Sequence, residues 1–391
     1  MKRIQTSYLA YSFFFQLLFW VPIFYEVQRL AGLSEPQIFT IQSWYYFAYF
    51  VFEIPTGLLA DRIGSRACLL LGGIILTAAN ALPVVSMEYV PFFVHFLGIG
   101  LARSLLSGAG SSWAYTMLEK QGATDQFRVL EGRARAAGLA GRLISWPFAP
   151  LMMRADLGMP YALSAIAAAL SLVAAWYMPD EKTRSASAPK RRSAIDDMKT
   201  LTKSIGTHPL ILPVMLQGVG VFVLMRIVLV NLYNPMLTGS MIDIAHFGWI
   251  MSCVTGVEAL IASMQTKLLK DRSPTDIATF TTLLMAFCVV VMSYLNIYAT
   301  FAALIGFAAM TGVAGPVQKQ FLNDVIDRPE LRATILSVES LVDRLVCGIV
   351  VLPLGTLVAD GRISFALVYA AIAVVSIQLL SHALIRRRMA T

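Results

Sequence analysis

The sequence predicts an all-α polytopic membrane protein, with twelve transmembrane helices in two six-helix bundles. Three observations carry this expectation. Of 391 residues, 57% are hydrophobic and 14% charged, and the mean hydropathy is +0.68; soluble domains carry about 25% charged residues. Apolar runs of about 20 residues follow one another from end to end, each long enough to cross a hydrocarbon core of about 30 Å as a helix. Helices satisfy their own backbone groups in lipid. Finally, Lys and Arg gather in alternate connections.

The twelve segments run over about 6–29, 37–60, 67–88, 91–118, 131–153, 159–178, 209–237, 243–267, 275–295, 298–321, 332–358 and 363–385. The opening MKRIQTSYLAYSFFFQLLFWVPIFYE resembles a signal peptide. Its apolar stretch is too long and lacks a small-x-small cleavage site, so it reads as an uncleaved first helix. With the N-terminus inside, only Arg29, Arg154 and Arg362 face outward, and Arg103, Arg142, Arg226 and Arg344 lie within helices. The remaining bases are cytoplasmic, as the positive-inside rule requires. Both termini are then cytoplasmic, in a bacterial inner membrane. The net charge of +8 reflects orientation and contact with anionic lipid, not a nucleic-acid partner.

Residues 179–208, PDEKTRSASAPKRRSAIDDMKTLTKSIGTH, read as a cytoplasmic linker between bundles at 1–178 and 209–391. Within it Ile195, Met198, Leu201 and Ile205 recur at helical spacing, which predicts a short interfacial amphipathic helix. The two halves echo each other: Asp61-Arg62 follows helix 2 and Asp271-Arg272 follows helix 8. A six-plus-six chain with matching loops suits a parallel-repeat transporter. Cys68, Cys253, Cys288 and Cys347 fall inside helices without metal or CxxC spacing and read as packing residues.

The loop after helix 2, EIPTGLLADRIGSR, breaks an apolar region with a carboxylate, two glycines and two arginines. Gly57 would let a neighbouring helix approach. Gly64 would permit a turn with positive φ. Asp61 can cap a helix N-terminus. Residues 57–66 resemble the signature of the major facilitator superfamily, G-x-L-a-D-basic-x-G-basic-basic, with Ser65 in place of one base. The resemblance extends over the twelve-helix plan. It implies that Asp61 meets the start of helix 11 near Arg332-Ala333, forming with Gly57, Arg62, Gly64 and Arg66 a latch that favours the outward-open state. Arg62 and Arg66 would hold Asp61 or lipid phosphates.

Two further stretches resemble bacterial drug/proton antiporter members: RSLLSGAGS in helix 4, beginning at Arg103, and GPVQKQFLNDVIDRPELRATILSVESL leading into helix 11. Helix 5 departs from that pattern. GLAGRLISWPFAP has Gly138, Gly141 and Pro147, but not the Gly-Pro motif that proton antiporters often carry there.

Charges within the bilayer cost about 2.5–3.5 kcal/mol each even on lenient scales and mark functional positions. They fall on helices 1, 2, 4, 5, 7, 8 and 11, and the resemblance places helices 3, 6, 9 and 12 at the lipid-facing periphery. Glu339 and Asp343 share a face of helix 11. Two carboxylates so close in a low dielectric resist joint ionisation, which suits a proton carrier. Their alternative role is structural pairing with arginines. Arg344 points elsewhere and is expected to pair with another helix. Glu258, alone among small residues in helix 8, and Glu53, just before Pro55, are further proton-coupling candidates. Arg103, Arg226, Arg142, Glu26, Gln16, Gln217 and Asn231 are substrate-cavity candidates; Glu26 is equally suited to a solvated rim. Asn234-Pro235 permits a bend in helix 7. Trp20, Tyr25, Trp113, Trp146 and Trp249 are available to line an amphiphile pocket, or to pack.

There is no P-loop and no Ser/His/Asp spacing, and the four histidines are scattered, so neither an enzyme nor an ATP-driven pump is indicated. No cofactor or metal is implied. The leading expectation is a monomeric secondary transporter that exports an amphipathic small molecule, a drug or secondary metabolite, in exchange for protons. The buried arginines and the altered helix 5 support an alternative, an importer or facilitator of an anionic metabolite or siderophore. A membrane receptor is a third class, with no specific support.

Overall fold

A computed structural model describes residues 2–181, 208–268, 272–327 and 331–389; at 61, 266–268, 333 and 389 the backbone alone is described. The expected linker helix and Asp271 lie outside the described residues. All regular structure described is helical: α1 (Lys2–Phe15), α2 (Phe24–Leu30), α3 (Glu35–Ile63), α4 (Ser65–Val85), α5 (Tyr89–Leu106), α6 (Ala109–Glu119), α7 (Phe127–Ser145), α8 (Ala149–Ala155), α9 (Met159–Trp176), α10 (Ile211–Arg226), α11 (Tyr233–Gly239), α12 (Phe247–Leu268), α13 (Pro274–Met292), α14 (Ile297–Val325), α15 (Arg332–Ala359) and α16 (Ile363–Met389).

Nine helices among the described residues are long and apolar enough to cross a membrane. The predicted first, second and fifth spans are helical but fall outside that set. The first is split into α1 and α2 around Pro22, and the fifth into α7 and α8 by a 3-10 turn at Trp146–Phe148 containing Pro147. The second, α3, is continuous, but Gln37, Gln42, Ser43 and Glu53 dilute its apolar character. The fourth span breaks at Gly108, with φ of 76°, where α5 gives way to α6. The seventh holds a π-turn, Ile227–Asn231, between α10 and α11. Proline alone does not decide these breaks: Pro55, Pro83, Pro316 and Pro353 sit inside unbroken helices. In lipid, neighbouring groups re-satisfy what a proline frees.

The chain divides into two compact units: Met1–Ser185 with Ile244–Ser252, and Ala186–Asp243 with Cys253–Thr391. In the first, α1 packs on α7 and α9, and α4 on α5 and α9. Tyr8, Tyr11, Leu69, Leu105, Trp113 and Met117 form a core between them. A Cβ at Gly141 would stand 2.8 Å from the Phe13 carbonyl, and one at Gly138 3.0 Å from Gln16 Cγ. The helix 5 glycines thus admit the backbone of α1, as small residues do where membrane helices approach closely. In the second unit, α13 packs on α14 and α16, and α10 on α14, α15 and α16. Ile211, Val214, Phe321, Leu322 and Ile335 form its core.

Exposed apolar stripes run along α9 (Ile166, Leu170, Val173, Trp176) and α13 (Phe280, Leu283, Phe287, Val290). These helices carry no charge in their interiors, so their outer faces suit lipid contact. Of the aromatic residues singled out in the sequence, Trp20, Tyr25, Trp113 and Trp146 are buried. Their indole N–H groups go to Asn80, to the Pro179 carbonyl and to the Leu18 carbonyl for Trp20, Trp113 and Trp146. They serve packing. Trp249 is exposed.

Candidate functional site

In the second unit the polar candidates of helices 7 and 11 come together. Arg226 is the last residue of α10, directly before the π-turn. Such turns insert an extra residue and recur at functional sites. The Arg226 guanidinium donates from one Nη to both oxygens of Asp343, at 2.9 and 3.1 Å. Asp343 is 3% exposed. Glu339 lies one turn earlier on α15 and is also buried, but its Oε1 accepts a hydrogen bond of 2.8 Å from the neutral amide of Gln318 on α14. The two acids therefore differ sharply in surroundings: one faces a guanidinium, the other an amide. A Cβ at Gly218 of α10 would overlap the Glu339 carboxyl and the Gln318 amide, so the missing side chain is what makes room for this pair.

Gln217, a cavity candidate in the sequence, lies on α10 beside this pair. It is buried and bonds to Gln318 and Gln378. Arg344 donates to the carbonyl and hydroxyl of Ser340 in its own helix and takes part in a further interaction besides. Asn231 is buried within the π-turn. Glu258 is half-buried on α12 and engaged in an interaction, so its isolation along the sequence is not isolation in space.

In the first unit, Glu53 Oε1 accepts from the Ser107 hydroxyl at 3.0 Å, across from α3 to the residue that ends α5. The break at Gly108 places Ser107 there. Arg103, one turn earlier, is half-buried, and among the described residues its Nε donates no hydrogen bond. Arg142 is half-buried and engaged, and Gln16 packs its stem against Gly138. Glu26 is not a solvated rim residue: it is 3% exposed and pairs with Arg29 at 2.8 Å, one turn on. Glu131 on α7 escaped the sequence reading. It accepts from Tyr8 at 3.0 Å and Ser111 at 2.9 Å and so joins α1, α6 and α7. The sequence hid it among the charges that open helix 5.

The chain matches the Major Facilitator Superfamily over residues 6–351. It belongs to that family. Among curated proteins none matches it. Among solved structures, the crystal structure of the nucleoside transporter NupG aligns with a TM-score of 0.80 at 14% identity, covering 98% of each chain. A POT family transporter in complex with a thioalcohol-conjugated peptide aligns with a TM-score of 0.71 at 15% identity, covering 97% of this chain and 94% of that one. At such identities the likeness establishes the fold. This Major Facilitator Superfamily protein is accordingly an integral membrane transporter acting on a small-molecule substrate.

Its signature loop is a cap-and-clamp arrangement within the first unit. Gly64, with φ of 87°, separates α3 from α4 in the left-handed region that glycine favours, as its position in the sequence predicts. A Cβ at Gly57 would meet nothing within 4 Å among the described residues. Glu181 caps α4, accepting from the Arg66 backbone N–H at 2.8 Å and from that of Ser65 at 3.3 Å. The Arg66 guanidinium donates to the Trp176 carbonyl at the end of α9, at 2.7 Å, and Lys120 holds the Glu181 carbonyl. Arg66 thus ties the start of α4 to the end of α9. Glu181→Ala is expected to lower stability by about 0.5–2 kcal/mol, the range for losing a helix cap. A melting temperature unchanged from wild type would refute the cap.

Proposed function

We propose that this protein is a proton-coupled secondary transporter that exports an amphipathic small molecule by alternating access, with Glu339 carrying the proton. The observation that supports this reading is the contrast between the two acids of α15. Burying an ionised carboxylate is costly unless a cation or several donors compensate it. Asp343 has Arg226, whereas Glu339 has one amide donor. Glu339 is therefore the acid able to exist in both protonation states within one fold, and Asp343 is the fixed anion that holds Arg226. The charged groups facing Glu339 are Asp343 on its own helix and Lys319 on α14.

In this reading the chain crosses a bacterial inner membrane twelve times, with both termini cytoplasmic, and works as a monomer. Asp61, Arg62 and the turn at Gly64 form the conformational latch. A second reading, an importer or facilitator of an anionic metabolite, is favoured by Arg103, whose buried Nε leaves a donor for a carboxylate or phosphate. Nucleosides and peptides, the solutes named for the structural neighbours, belong in the first substrate panel.

The test uses purified protein in proteoliposomes with an internal pH dye and an imposed proton gradient. Lipophilic cations, neutral drugs, nucleosides, peptides and organic anions are added in turn. Proton flux opposite to substrate is expected, and Glu339→Gln should abolish it while leaving substrate exchange without a gradient intact. Flux lost in Glu258→Gln or Glu53→Gln but kept in Glu339→Gln would move the carrier to those residues. Protons moving alongside the substrate, or not at all, would favour the anion reading.

A further inference from the structure

Five helices of the second unit are joined by one chain of buried amides and hydroxyls that ends on Glu339. Gln217, Gln318, Gln378 and Thr282 are each at most 2% exposed, and none is an ionisable group. The chain has a direction, and that direction can be deduced. Gln318 Nε2 lies 2.8 Å from two oxygens, the Val214 carbonyl and Glu339 Oε1. A carbonyl only accepts, so the nitrogen of Gln318 must face it, and its Oε1 must face the other way. That oxygen accepts from Gln217 Nε2 at 3.0 Å. Gln217 Oε1 must then accept in turn, and it does so from Gln378 Nε2 at 3.1 Å. Gln378 gives its other hydrogen to Thr279 at 3.0 Å, and its Oε1 lies 3.3 Å from the Thr282 hydroxyl, whose one hydrogen is shared with the Ala278 carbonyl at 2.7 Å. The far end is His382, whose Nδ1 lies 2.8 Å from the Thr279 hydroxyl. The amides of α16, α10 and α14 therefore donate one to the next, and the last of them donates to Glu339. Aligned bonds of this kind polarise one another.

We propose that the proton bound by Glu339 sits on Oε2, with Oε1 kept as an acceptor by Gln318, a positioning residue whose orientation is set by Gln217 and Gln378. This rests on the reading that Glu339 exchanges a proton. Both hydrogens of the Gln318 amide are committed, and its oxygen is occupied by Gln217, so the amide cannot turn to accept from a protonated Oε1. The O–H bond forms at Oε2, the proton comes from water, and it returns to water when the acid ionises. Oε1 keeps its amide donor in both states, so the carboxyl need not rotate between them. The acidic and basic groups around the pair are Asp343 and Lys319; Arg226 is held by Asp343. Among the described residues neither Gln217 nor Gln378 bonds to Glu339, and they act on it only through Gln318.

The carboxyl stretch of protonated Glu339 tests this in the full protein in lipid, by infrared difference spectroscopy across a pH titration. Glu339→Gln identifies the band. With Oε1 as the hydrogen-bonded carbonyl oxygen, Gln318→Leu is expected to move the band to higher frequency. Gln217→Leu should broaden it and move it the same way, although that substitution lies outside bonding reach of the carboxyl, and should also shift the pH of half-maximal transport without changing the substrate KM. The Gln217 variant keeps the test alive if Gln318→Leu fails to fold. A Glu339 band with intact proton flux that is unchanged in both variants overturns the positioning role alone. Absence of any Glu339 band, with proton flux surviving in Glu339→Gln, overturns the proton reading and this assignment together.

Discussion

Replacing Arg226 with methionine is expected to destabilise the protein by about 3–5 kcal/mol and to abolish transport. The reason is an asymmetry in the ion pair. Asp343 has a side chain only 4% exposed, while that of Arg226 is 30% exposed. Removing the arginine leaves a buried carboxylate without the guanidinium that both its oxygens accept from. Removing the acid strands a cation that retains some access to its surroundings. Asp343→Asn should therefore cost distinctly less than Arg226→Met. The double variant Arg226→Met/Asp343→Leu should recover most of the stability, because a buried pair replaced by apolar groups of similar volume is often neutral. Melting temperatures of the three variants in one lipid mixture check this. Equal losses for the two single variants would show that the pair is not buried on the Asp343 side.

Gly218→Ala is the second large effect: loss of transport, with a stability cost of about 1–3 kcal/mol from overpacking. The new methyl would overlap the Glu339 carboxyl and the Gln318 amide. A long flexible side chain would usually swing aside, but Gln318 is tied to Val214, Gln217 and Glu339 at once. Its hydrogen bond to the acid has to break. Gly315→Ala is the matched control on α14, one turn before Gln318, where a Cβ meets nothing within 4 Å. There the better helix propensity of alanine should raise stability by up to about 1 kcal/mol. Similar transport rates for the two variants would show that the space at Gly218 is not required.

Much of this protein was legible in its sequence, and for a definite reason. In lipid each helix closes its own backbone hydrogen bonds, so hydropathy over about 20 residues reports local structure with little help from tertiary contacts. The turn at Gly64 was equally readable, because a positive φ restricts the residue type. The site was half legible. Scanning for charge inside apolar runs found Arg226, Glu339 and Asp343, because charge is costly there wherever it lies. The same scan passed over Gln318 and Gln378, which carry no charge. Buried amides also cost several kcal/mol when unbonded, so amides inside apolar runs were the signal that would have exposed them. The sequence left Glu26 open between cavity and solvated rim; the structure removes the rim, because its partner Arg29 lies one turn on and Glu26 is buried.

The sequence by itself determined the membrane class, the family signature and the set of costly side chains. Only the tertiary structure decided which of them meet. Arg226 and Asp343 are 117 positions apart, and Gln217 and Gln378 are 161 apart. Whether such residues face one another depends on how each helix is rotated about its axis. That rotation is set by packing at contacts such as Gly218 on Glu339 and Gly141 on Phe13, where the shape of a neighbour, not the local sequence, chooses the face.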